Sequence, residues 1–412
     1  MDNMNVTKVD VLVIGAGPSG TMAASMVHKN GLKVKIVEKT KFPRFVIGES
    51  LLTRSMDHFE EAGVLDAIKE QGYQVKNGAI FLKGDERCEF NFSDQYTDGW
   101  KWTWQVPRDK FDKVIADKVE SMGVEINYET TVTDIQFNGS DSITTVVDKE
   151  GNESEIEARF IVDSSGYGRV IPKLLNLNTP SALPVRDSLF TQFKGVNQSE
   201  RDANSVSIIA HKPDVWFWII PFSNGNVSFG FVGNPEYLLQ YSGSPEEKLR
   251  ALIASEPLAR EQFKNLEMIF DPIHISGYSI STKKLYDEGY VLTGNSTEFL
   301  DPIFSSGVTF ATESGILAGK LASRKLKGEN VDWDNEYVSH ILHGVETFRT
   351  YIEAWYDGSL HKIFFSDKVD KKIKEQICSV LAGYVWDMSN PFVSRHKKSV
   401  RNLADFLSED NE

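Results

Sequence analysis

Cysteine is nearly absent: Cys88 and Cys378 are the only two in 412 residues. They are far apart, so neither a disulfide framework nor a cysteine zinc pattern is available. Histidine is sparse as well. The pair His340 and His343 stands i, i+3 on a helical stretch with no third ligand, so no metal site is expected. Apolar runs are short, and none approaches the roughly 18 residues that a bilayer-crossing helix needs. The opening MDNMNVTKVD lacks a basic region followed by an apolar core, so no secretory signal is expected. Positive charge is in deficit. A net charge of −14 argues against a nucleic-acid partner and against an anionic membrane surface. Repeats, low-complexity tracts and long linkers are missing too. The remainder, 41% hydrophobic and 25% charged, is the composition of an ordinary soluble globule, and a reducing cytoplasm is its expected compartment.

What is present begins with residues 9–38. An apolar run from Val9 to Ile14 ends in Gly15-Ala16-Gly17-Pro18-Ser19-Gly20. A helical pattern follows, with Met22, Ala23, Met26 and Val27 on one face, and a second apolar run, Val34 to Val37, closes on Glu38. Gly15 permits a tight turn, Gly17 lets a pyrophosphate approach the backbone, and Gly20 lets the helix pack close to the strand. Glu38 is placed to accept ribose hydroxyls. The motif predicts dinucleotide binding without choosing between NAD and FAD.

Further along, 39–52 reads as a loop marked by Pro43 and Gly48, 53–70 as a helix, and 79–83, 88–92 and 102–106 as short strands. Arg108 starts another helix, and strands are expected at 124–128, 131–137, 142–148 and 154–163. The last of these ends in IVDSSGYGR, with Asp163, Gly166 and Arg169. Strong alternation over 186–233 predicts an antiparallel sheet distinct from the dinucleotide unit. A helix is expected over 245–264 and a strand over 274–281. At 289–310 a strand ends in Gly294-Asn295, a loop carries Asp301-Pro302, and Ser305-Ser306-Gly307 opens a long helix. From 331 onward the pattern is helical and aromatic-rich. Lys76 follows the 53–70 helix, and on its own it reads as a solvated surface lysine rather than a functional one.

The expected fold is α/β with an α+β substrate part. A Rossmann-like FAD-binding domain (1–78, 105–177, 284–327) is interleaved with an antiparallel-sheet substrate domain (79–104, 178–283), and a C-terminal helical region follows (328–412). The FAD assignment comes from a resemblance. Gly15, Gly17, Gly20 and Glu38, then Asp163, Gly166 and Arg169, then Gly294-Asn295 with Asp301-Pro302, together resemble the FAD-dependent monooxygenase superfamily of the p-hydroxybenzoate hydroxylase type. Asn295 stands where that pattern carries aspartate, which implies a more weakly held, exchangeable flavin. By the resemblance the cofactor contacts also include Pro18, Ser19, Lys39, Arg44, Glu49, Ser50, Arg108, Gly307 and Val308.

Within that superfamily FPRFVIGESLL, Lys76, WFWIIP and DPIFSSGV are similar to flavin-dependent halogenases, especially those acting on phenols and pyrroles. The resemblance implies a substrate chamber lined by Trp216, Trp218, Pro221 and Phe304, a catalytic lysine at Lys76, and a halide held at Ser306 and Gly307. It implies that reduced FAD and oxygen form a C4a-hydroperoxide that oxidises halide, with Lys76 delivering the halogen to an aromatic or polyene-aryl ring. Phe304 occupies the position of a glutamate in tryptophan halogenases, which points away from free tryptophan. A carrier-tethered aromatic substrate and a separate flavin reductase are the partners this implies. Hydroxylases and C=C reductases share the scaffold and remain alternatives.

Overall fold

The computed structural model describes residues 6–195 and 199–409; residues 196–198, inside the alternating run, and the first five residues fall outside it. The first apolar run is strand Val6–Ile14, parallel to Val34–Val37 on one side and to Glu153–Asp163 on the other. Glu125–Asn127 and Tyr290–Leu292 extend this parallel core outward. Strands Thr131–Asn138 and Asp141–Val147 form a meander that joins the first half of Glu153–Asp163 antiparallel, which completes an eight-stranded sheet with Tyr286–Asp287 at its other edge. All three motif-bearing strands, ending at Ile14, Asp163 and Leu292, are adjacent and parallel. Their C-terminal ends therefore share one edge, where ligands of open α/β sheets bind.

The second sheet has seven strands, in the order Ile273–Ser276, Asp187–Phe193, Val227–Gly233, Val215–Pro221, Ser205–Lys212, Gly78–Lys83, Glu86–Asn91. It is antiparallel, as the alternation predicts, except that Ser205–Lys212 runs parallel to Gly78–Lys83. That exception arises because the Gly78–Lys83 hairpin is contributed from far earlier in the chain.

Several elements differ from the expectation. The 53–70 helix is two helices, Arg54–Ala62 and Leu65–Lys69, because Gly63 takes a left-handed φ of 78° and stops the first. The 245–264 helix is likewise divided, at Pro257, which starts the second piece. The 274–281 strand divides between two sheets. The 102–106 strand pairs with Gln74–Lys76 as a separate ladder that contains Lys76.

Helices Pro18–Lys29 and Gly307–Leu326 cross at very close range. A Cβ at Gly315 would run into the backbone of Ser19, and one at Gly319 into that of Ala23. Glycines four residues apart thus let two backbones touch and hold the two helices side by side, running the same way. Among the described residues no helix is long and apolar enough to cross a membrane.

Candidate active site

Both N-termini open onto one cavity of about 790 Å³, walled at one end by the glycine turn and at the other by the seven-stranded sheet. At the first end stand Gly15, Gly17, Pro18, Ser19, Glu38, Lys39 and Arg44. Gly15 has φ +100°, and a Cβ there would press on the Ser164 carbonyl. A Cβ at Gly20 would overlap the Gly15 carbonyl, so this glycine stands behind the wall and sets its shape. Gly17 is different: only the Arg44 guanidinium, 3.5 Å away, is near its Cβ position, so space beside it is open. The helix starting at Pro18 has no side-chain cap, which leaves its free N–H groups and positive end for an anion. Glu38 accepts from Ala16 N (2.8 Å) and Thr40 N (2.9 Å), and a carboxylate so engaged still has lone pairs to offer a ribose.

The second and third motifs meet here. Gly166, Gly294 and Asn295 are in the wall. Asp163 is fully buried behind it and accepts from Ser165 N and Ile171 N at 2.9 and 2.8 Å. Arg169 donates to the Asn295 carbonyl (2.8 Å) and the Ser281 carbonyl (2.9 Å), which ties one motif to the other. These two residues shape the loops rather than face the cavity.

Towards the second end, Pro302, Gly307 and Val308 line the wall with Arg108, Glu49 and Ser50. Arg108 pairs with Asp112 (2.8 Å) and donates to the Ile47 carbonyl (2.9 Å), so it fixes the 47–50 loop. The helix beginning at Gly307 has no side-chain cap, and nothing stands within 4 Å of a Cβ at Gly307. Its N-terminus is a place for an anion. Ser306 is buried beside it, outside the wall.

Trp216 and Trp218 alternate onto one face of their strand and reach the cavity with Val206, Ile208 and Ile220. The Trp216 indole N–H donates to Tyr356 Oη (3.0 Å), whose hydroxyl donates to Asp301 Oδ2 (2.8 Å). Burial pushes the Asp301 carboxyl up to about 6, against the hydrogen bond from Tyr356. Asp301, Pro221 and Phe304 do not reach the cavity; Phe304 packs among Phe81, Tyr351 and Trp355.

Lys76 is 1% exposed, so the solvated reading does not describe it. Its Nζ donates to the Leu51 carbonyl (2.7 Å) and lies 5.5 Å from the Phe92 ring. Burial alone lowers the ammonium to about 7. It is not in the cavity wall, but Leu51 adjoins Ser50, which is. Three buried polar atoms of wall residues have no partner within the protein: Ser19 Oγ at one end, Glu49 Oε2 and Ser50 Oγ at the other. With the open helix N-termini, these fit a long ligand that has phosphates at one end and a hydrogen-bonding ring system at the other. Lys173 and Tyr167, also in the wall, were not singled out in the sequence. Lys173 sits on the short helix Val170–Leu174 just after the Asp163 motif, and a basic residue following a nucleotide-type motif is the signal the sequence offers.

The sequence profile of the family described as FAD binding domain matches residues 8–253. A solved flavoprotein/dehydrogenase from Cytophaga hutchinsonii is 57% identical; the match covers 98% of this chain and all of that one, with a TM-score of 0.97. The 1H-pyrrole-2-carbonyl-[peptidyl-carrier protein] brominase of Pseudoalteromonas luteoviolacea is 27% identical over 80% of each chain. The tryptophan 2-halogenase of Chondromyces crocatus is also 27% identical, over 77% of this chain and 62% of that enzyme. This chain therefore belongs to the FAD binding domain family and is an FAD-dependent oxidoreductase, similar to the flavin-dependent halogenases.

Proposed function

We propose that this enzyme halogenates an electron-rich aromatic ring, with Lys76 as the residue that directs the halogen. The observation that carries this reading is an amine buried to 1% exposure and bonded to the carbonyl of Leu51, the neighbour of wall residue Ser50 in a cofactor-sized cavity, with its charge disfavoured by burial. FAD, when bound and reduced, supplies the electrons that activate oxygen. The capless helix at Gly307 offers halide a set of backbone N–H groups, with Ser306 supporting the turn. Hypohalous acid and an aromatic C–H then yield a carbon–halogen bond and water. A lysine held near neutrality can hydrogen-bond that acid and steer it, because it passes between ammonium and amine at little cost. Trp216 and Trp218 offer flat apolar surface for the ring and exclude water. The polar wall atoms near them suit pyrrole, indole or phenol better than a plain hydrocarbon.

The named relatives include an enzyme acting on a carrier-bound pyrrole, so a carrier-tethered substrate belongs to this reading, as does a separate flavin reductase. Two buried free cysteines suit a cytoplasmic location. The relative at 57% identity is described as a flavoprotein/dehydrogenase, so the decisive experiment separates oxygen chemistry from hydride transfer. FAD-loaded protein, reduced without oxygen, is mixed rapidly with oxygenated buffer with and without bromide. An absorbance transient whose decay bromide accelerates supports halogenation. A transient indifferent to halide points to hydroxylation, and no transient at all points to a dehydrogenase or reductase.

A further inference from the structure

Glu49 is 1% exposed and belongs to the cavity wall, yet half of its carboxyl is unused. Oε1 accepts from Gln192 Nε2 at 2.6 Å; Oε2 has no hydrogen-bond partner. The partners turn this side chain away from the nucleotide motifs. Gln192 belongs to strand Asp187–Phe193 of the seven-stranded sheet. Ser228, on the adjoining strand, also favours the carboxylate, and its Oγ accepts from the Trp218 indole at 3.0 Å. Backbone bonds on both sides fix the loop: Val106 N donates to the Glu49 carbonyl (2.7 Å) and Leu51 N to the Trp104 carbonyl (3.1 Å). A fixed acceptor with a free lone pair therefore stands against the wall that carries Trp218.

We propose that Glu49 recognises the substrate's own donor: its Oε2 accepts a hydrogen bond from the ring N–H or O–H of a pyrrole, indole or phenol stacked along Trp216 and Trp218. This rests on the aromatic-substrate reading above and narrows it to rings with an acidic N–H or O–H. A buried acceptor left unpaired is costly, so a site built this way rejects a ring lacking the donor more strongly than it rejects a change in apolar bulk. The bond has a chemical consequence as well. Drawing the proton of O–H or N–H toward a carboxylate raises electron density on the ring carbons that meet an electrophile. Glu49 thus selects and activates with one contact.

The group is poised to do this. Burial pushes its pKa up to about 7, against the favourable influence of the nearby Ser228 hydroxyl, the bond from Gln192 and the Arg108 charge, while Asp109 adds to the rise. These come from the strands and from the Arg108 helix, which are the elements packed on it. Donor recognition should accordingly strengthen above neutrality.

The test needs neither oxygen nor halide, so its outcome is independent of whether the enzyme halogenates. FAD-loaded protein is titrated with phenol against anisole and pyrrole against N-methylpyrrole, and binding is followed by calorimetry at pH 8 and pH 5.5. The expected result is about tenfold or greater preference for the ring bearing the donor at pH 8, in keeping with a hydrogen bond to a charged group. That preference should fall to about threefold or less at pH 5.5 and in Glu49→Gln. Equal affinities for phenol and anisole in the wild-type protein overturn the proposal, and this arm needs no variant to fold. Full preference retained in Glu49→Gln overturns it too. Equal affinities combined with weakened FAD binding in Glu49→Gln would assign Oε2 to the flavin instead.

Discussion

At the nucleotide end the cavity is lined by backbone; at the chamber end it is lined by side chains. Gly15, Gly17 and Gly20 do their work by having nothing to add: a Cβ at two of them would strike a carbonyl, and at the third it would occupy ligand space. At the other end Glu49 in the wall, and Lys76 and Asp301 behind it, are each buried, and burial moves each toward its neutral form. The first kind of site depends on exact backbone approach and tolerates almost no substitution. The second depends on a few charges withheld from water, so its substitutions act through pH and affinity more than through the fold.

The strongest way to break this contrast lies within the glycines. Gly20→Val should prevent folding, since the Gly15 carbonyl occupies the new side chain's place, with a cost above roughly 4 kcal/mol. Gly17→Val should fold, because only the flexible Arg44 side chain is near, yet lose FAD. Circular dichroism and the yellow colour of the purified proteins read the two outcomes. A folded, yellow Gly17→Val protein would remove the pyrophosphate from this turn.

Lys76→Met sharpens the other half. A lysine with its folded pKa depressed to about 7 leaves the unfolded state holding more protons between pH 7 and 10.5. Stability rises with pH across that window, and below pH 7 the full cost, about 5 kcal/mol at most, is present. Methionine removes it. The variant should therefore melt at a higher temperature than wild type at pH 6, keep FAD, and lose halogenation. Lower stability at pH 6 would show that the Leu51 hydrogen bond outweighs burial.

Glu49 has the opposite sign. Its folded pKa is raised to about 7, so the folded state keeps a proton that the unfolded state has released. The stabilisation is full below the ordinary glutamate pKa and is lost as pH rises through 7, by roughly 3 kcal/mol. Denaturant midpoints for wild type should fall between pH 5 and 8 relative to those of Glu49→Gln. Parallel pH profiles would mean that the carboxyl is not buried in solution.

The same contrast decides what could be read from the chain alone. The turn from Gly15 to Gly20, the partner acid Glu38, and the motifs at Asp163 and Gly294 are local patterns with fixed spacing, and their strands lie side by side in the structure. The alternation over 186–233 exposed the second sheet for the same reason. The pairing of Lys76 with the 103–105 strand, its burial, and the meeting of Glu49 with Gln192 depend on contacts between segments distant in sequence. No local pattern encodes those. The helix breaks at Gly63 and Pro257 were legible in composition, but the apolar periodicity on either side overrode them.

The smallest predicted effect concerns the link between the two ends. Tyr356, at the end of helix Ser339–Tyr356 in the C-terminal helical region, donates to Asp301 beside Pro302 and accepts from Trp216 of the chamber wall. Phenylalanine in its place leaves a buried carboxylate oxygen and an indole N–H without partners, at about 1–3 kcal/mol each before water enters. It also removes the strongest hydrogen bond favouring the Asp301 carboxylate, so that group should titrate higher still. FAD affinity measures one end and ring affinity the other. If the ends are independent, Tyr356→Phe should weaken ring binding a few-fold through Trp216 and leave FAD binding unchanged, because Asp301 does not reach the cavity. If both affinities fall together, Tyr356 couples them, and occupation of the flavin end tightens the chamber.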